Sequence, residues 1–151
     1  MAELKERLRA DLNDAMRARD QVRMRTLRLA LTSITNEEVA GASARELTDD
    51  EVVKVLTREA RKRREAAEAF SAAGRSDQAA AERAEGEVLA GYLPAQLSDD
   101  ELAALVDAAI AETGASGMSS LGQVMKTVTP RVAGRADGAR VAAEVRSRLS
   151  G

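Results

Sequence analysis

Apolar residues mark the chain at helical spacing almost from its start. Leu4, Leu8, Leu12 and Met16 recur every four residues, which predicts one stripe of an amphipathic helix over residues 3–19. Asp20 breaks that stripe and is a candidate N-cap for a second helix. Met24, Leu27, Leu31 and Ile34 carry this helix to about Val39, with Gly41 as its stop and Gly41–Leu47 as a linker. Thr48-Asp49-Asp50-Glu51 has the hydroxyl and the Glu three residues later that make a capping box. The long helix it opens turns Val52, Leu56, Ala60, Ala67 and Phe70 inward and ends near Gly74. A fourth helix starts at Ser76 or Asp77 and is expected to bury Ala80, Ala84, Val88 and Tyr92 before Pro94 stops it.

The same signals continue beyond Pro94. Ser98-Asp99-Asp100-Glu101 is a second capping box, ahead of Leu102, Leu105, Val106, Ala109 and Ile110. Gly114 and Gly117 punctuate. Leu121, Val124, Met125 and Val128 form a shorter stripe that is expected to be interrupted around Pro130. Gly134–Gly138 reads as a turn in which Asp137 caps a last helix bearing Val141, Val145 and Leu149. No run alternates in the manner of a strand. The expected fold is all-α, with a four-helix unit over residues 1–92 and a three-helix unit over 97–151.

Composition narrows the chemistry. The 151 residues include two aromatics, Phe70 and Tyr92, and no Trp, so the core must be aliphatic. With no His and no Cys, a Ser–His–Asp triad, a thiolate nucleophile and the commonest metal ligand are all excluded. Ser119 and Ser120 lie six or seven residues before Lys126, which is not the spacing of a Ser–Lys nucleophile, and a capping role suits them better. The paired acids Asp49/Asp50 and Asp99/Asp100 sit at helix starts, where they complement the dipole. Glu82 and Glu85 share a helix face but lack the His of a di-metal bundle. Gly122–Lys126 lacks the spaced glycines of a phosphate loop. No catalytic residue, no metal and no cofactor is expected.

Net charge is −2, so no overall positive field draws in polyanions. Locally the picture differs. Arg and Lys concentrate over residues 5–28 and again at Lys54–Arg64. Lys126, Arg131, Arg135, Arg140, Arg146 and Arg148 follow an opening helix at 99–112 that holds only acids. A scarcity of aromatics argues against base stacking, so any RNA would be gripped through its backbone and shape. The charged N-terminus has no apolar leader stretch, and its acids are unlike a transit peptide; a cytoplasmic location is expected, with no membrane partner.

Three segments together carry a resemblance: Tyr92-Leu93-Pro94-Ala95-Gln96-Leu97-Ser98, Gly122-Gln123-Val124-Met125-Lys126, and Gly134-Arg135-Ala136-Asp137-Gly138. With Thr26-Leu27-Arg28 upstream, their order and spacing resemble the GatB/YqeY family of small bacterial proteins along essentially the whole chain. The resemblance implies a two-part all-helical protein. Its C-terminal part is similar to the tail domain of GatB, a subunit of the glutamine-dependent tRNA amidotransferase, where the tail helps hold tRNA and the chemistry resides in other domains. Gly122, Met125, Gly134, Asp137 and Gly138 are the motif positions. Two departures are a Pro130-containing connector over Thr127–Ala133 and the basic N-terminal helices, which have no counterpart in that tail. The expected function is RNA binding, with Lys126, Arg131, Arg135 and Arg140 on phosphates and tRNA or another structured RNA as partner. The alternatives are an accessory protein of a glutamine-dependent amidotransferase, a carbon–nitrogen ligase by family inference, and a protein-interaction adaptor.

Overall fold

In a computed structural model that describes residues 2–150, the chain is all-helical: seven α-helices and one short 3-10 turn, with no strand among the described residues. The helices are α1 (Glu3–Ala18), α2 (Gln21–Val39), α3 (Asp49–Ala72), α4 (Ser76–Ala90), α5 (Asp99–Thr113), α6 (Leu121–Val132) and α7 (Gly138–Ser150). The chain divides into two compact units, Met1–Leu93 and Pro94–Gly151, each with its own apolar core.

In the first unit, Leu8, Leu27, Ala30, Ile34, Leu47, Val52, Val55, Leu56 and Leu89 form the core. Strict i+4 spacing on α1 does not make a straight buried stripe. Each step of four advances the face by about 40°. Leu8 is therefore buried, Leu12 lies partly buried and Met16 is 46% exposed, while Lys5 and Ala15 are buried in its stead. Arg19 closes α1 in the left-handed conformation (φ 56°), and the Asp20 carboxylate then accepts from the Arg23 amide to open α2. Gly41 is not a left-handed stop, since Ala40 ends α2 in ordinary helical geometry. Gly41–Leu47 is no free linker either. The Arg45 amide donates to the Glu38 carbonyl, the Leu47 amide to the Glu38 side chain, and Leu47 enters the core. The Thr48–Glu51 capping box forms as the sequence predicts.

The α3–α4 hairpin departs from the expected stripes. Gly74 takes the left-handed turn (φ 76°) and sets the return path. On α4 the buried positions are Ala79, Glu85 and Leu89, with Ala80 exposed and Ala84 and Val88 only partly covered. Phe70 is partly buried near the hairpin end and lies outside the apolar core. Polar contacts explain the shift. Arg63, buried on α3, donates from Nη1 to the Glu59 carboxylate at 2.9 Å, and its Nε lies 3.4 Å from Glu85. Arg25 of α2 donates to Glu85 at 2.7 Å, and Ser33 donates to Glu59 at 3.0 Å. The faces of α3 and α4 that meet therefore carry ion pairs as well as methyl groups.

In the second unit, Leu102, Val106 and Ala109 of α5 meet Val124, Val128 and Val132 of α6 and Val141, Val145 and Leu149 of α7. The Ser98–Glu101 capping box opens α5, and Gly114 closes it at φ 62°. Pro130 does not interrupt α6, which runs through to Val132. Proline removes the amide that would serve the Lys126 carbonyl, but it sits in the last turn on the exposed side. Keeping the helix one turn longer places Val132 under Val128 in the core. Ala133 (φ 50°) and Gly134 (φ 78°) then reverse the chain.

Candidate nucleic-acid interface

The face of α6 turned from the core carries the first candidate residues. Gly122 and Lys126 are one turn apart, both exposed, and a Cβ built on Gly122 would meet nothing within 4 Å. Gly122 thus packs against no neighbouring helix. Lys126 makes no ion pair or side-chain hydrogen bond among the described residues. Met125 turns the other way and packs against the core. At the entrance to α6, Ser120 stands in the N-cap position without a capping bond; its hydroxyl donates to the Ser116 carbonyl instead.

The other basic candidates hold local partners. Arg131 pairs with Glu112, which pulls that carboxyl below its usual range. Arg135 donates from Nε to the Val132 carbonyl at 3.1 Å and from Nη2 to the Arg131 carbonyl at 2.8 Å. It thereby gives the Arg131 carbonyl at the end of α6 a partner and adds a second donor to the Val132 carbonyl, which also accepts the Arg135 amide at 3.0 Å. Arg140 donates to Asp99 at 2.8 Å. Asp137 accepts from the Arg140 amide at 2.9 Å and caps α7, the role its position suggests. Gly138 follows in open surroundings. Beyond the candidates, Arg148 pairs with Asp107 and Glu144, while Arg146 has no ion pair among the described residues.

In the first unit much of the basic charge is matched by acid. Lys5 is 6% exposed and donates to Glu38 at 2.7 Å. Arg17 pairs with Asp14, Arg58 with Glu37, Arg61 with Glu65 and Lys62 with Glu59. Of the Thr26-Leu27-Arg28 segment, Thr26 and Leu27 are buried and only Arg28 faces solvent. The Thr26 hydroxyl bonds back to the Val22 carbonyl at 2.8 Å. Sequence reading missed the environment of Tyr92. Its hydroxyl donates to Asp11 at 2.5 Å, and the Arg7 guanidinium lies 4.6 Å above its ring. A lone Tyr at a helix end carries no sequence signal for a partner 81 residues away.

Among the described residues no three acidic side chains are grouped to hold a metal ion. No helix among the described residues is long and apolar enough to cross a membrane. A family described as Yqey-like protein matches residues 5–149. Comparison with curated proteins finds no match.

Proposed function

Because the chain belongs to the Yqey-like protein family, we propose that it is a non-catalytic helical module that binds tRNA or another structured RNA through its second unit. The observation that carries the reading is Lys126: an exposed ammonium with no carboxylate partner among the described residues, one turn from a glycine that leaves the surface beside it open. A phosphate can approach the backbone at Gly122 and meet Lys126 without displacing a side chain. Arg131 and Arg140 join by exchanging exposed carboxylates for phosphates. Such surface pairs are worth only about 0–1 kcal/mol, so the exchange is easy. Arg135 keeps two donors on α6 and contributes mainly through its charge. The resemblance of Gly122–Lys126 and Gly134–Asp137 to a tRNA-holding tail supports the choice of ligand. A sequence without His or Cys supports assigning the chain no bond-making step of its own. Amidotransferase chemistry, if the protein serves it, belongs to a partner.

The test is filter binding of bulk tRNA at increasing salt. Affinity is expected to fall steeply as salt rises, because each phosphate contact releases counterions. Lys126→Glu, which breaks no internal pair, should weaken binding and flatten the salt dependence. Arg135→Glu with Arg140→Glu should abolish binding while circular dichroism still reports helix. Salt-independent binding, or affinity unchanged in both variants, refutes the assignment.

A further inference from the structure

Three helices of the first unit line an open surface groove of about 410 Å³. α1 supplies Arg7 and Asp11, α2 supplies Arg23, and α4 leads up to Tyr92. Ala84, Glu87, Val88 and Gly91 recur at i, i+3, i+4 and i+7, so one face of α4 forms the opposite wall. We propose that this groove binds a small zwitterion, with an acid head group at the Arg7 and Arg23 guanidinium groups and an ammonium at Glu87.

The donors and acceptors that remain unused in the groove select this ligand. Tyr92 spends its hydroxyl proton on Asp11 and is thereby fixed. Arg7 stacks on the ring and lies 3.9 Å from Asp11, too far for a hydrogen bond, so its donors stay available. Arg23 donates to the same hydroxyl from α2, which leaves its other guanidinium donors for a ligand. Glu87 is exposed and has no ion pair among the described residues. Val88 and the side-chain-free Gly91 follow Glu87 along the same wall toward Tyr92, giving a short apolar spacer something to pack on. Two guanidinium groups against two carboxylates make the lining neutral. A polyanion would face Asp11 and Glu87, and a simple cation would face the arginines; a ligand carrying one charge of each sign matches both ends. The volume falls in the range of small-molecule sites, larger than a bare anion needs.

The head group is a carboxylate or a phosphate, and paired probes separate the two. Isotope-labelled full-length protein is titrated, by amide NMR shifts, with γ-aminobutyrate against butyrate and with phosphoethanolamine against ethyl phosphate. The expected result is saturable shifts at Arg7, Arg23 and Glu87–Tyr92. In at least one pair the amine-bearing member should bind about fivefold tighter, the scale of an exposed ion pair. Glu87→Gln should erase that preference while leaving the amine-free member unchanged. Arg7→Met should weaken both members, and Gly91→Leu should block the groove without touching a charge. Shifts that do not saturate, equal affinity within both pairs, or a preference that survives Glu87→Gln would overturn the proposal.

Discussion

Replacing Asp11 with Asn tests the electrostatics of the first unit at one atom. Burial pushes the Tyr92 phenol up, and the hydrogen bond to Asp11 and its negative charge push it further, against the opposing pull of Arg23; the outcome is about 12. An ordinary phenol ionises near pH 10, and moving its midpoint by one pH unit takes about 1.36 kcal/mol of preference for one protonation state over the other. The displacement thus corresponds to roughly 2–3 kcal/mol against the phenolate. The hydroxyl is only part-buried, so screening lowers the share that reaches folding stability to about 1–2 kcal/mol. The sign follows from linkage. The folded pKa lies above the unfolded one, so the contribution is intact below about pH 10 and is lost as pH rises through about 12. Tyr92 is the sole Tyr and there is no Trp, so the near-ultraviolet absorbance of phenolate reports this residue alone. Asp11→Asn keeps an acceptor but removes the charge, and should lower the midpoint by about one pH unit. A wild-type midpoint near the ordinary value, or superimposable wild-type and variant curves, would refute the reasoning.

Other expectations follow from the same structure. Lys5→Met strands the Glu38 carboxylate, 9% exposed, and should cost about 3–5 kcal/mol in denaturant unfolding. Adding Glu38→Leu should recover most of that, short of about 1–2 kcal/mol for the Leu47 amide left without its acceptor. Acid should weaken the first unit. Arg45 holds the Glu51 carboxyl down to about 2, Lys5 lowers Glu38, and at Glu59 burial pushes up but Arg63 and Ser33 together outweigh it. Carboxyls depressed in the folded state stabilise it above their unfolded pKa near 4.5, and that stability is lost as pH falls toward about 2. Unfolding midpoints measured across this window should slope less in Glu51→Gln. Ala133→Gly relieves a left-handed alanine and should raise thermal stability by up to about 1 kcal/mol, the steric gain of about 1–2 kcal/mol less the entropy cost of glycine. A lower melting temperature in that variant would contradict the account of how α6 ends.

The candidate interface was legible in part. Gly122 and Lys126 stand one turn apart in any helix, and Asp137 caps α7 as its position before a helical stripe implies. The sequence could not say that Arg131 and Arg140 answer acids 19 and 41 residues away, because ion pairing depends on which helices adjoin.

Periodicity and caps are local properties, set by turns of about 3.6 residues and by side chains bonding amides three positions on. They were enough to specify the all-α class, both capping boxes and the valine stripes of α6 and α7. Which side of a helix is buried is not local. Met16 lost its place to a drift of the helical face, Lys5 was drawn inside by Glu38, and Arg63 was buried because Glu59 and Glu85 surround it. Pro130 reads as a break until Val132 is seen in the core, where packing outweighs one missing hydrogen bond. Short-range stereochemistry wrote the helices; the pairing of faces, decided only when distant segments meet, assigned each charge its partner.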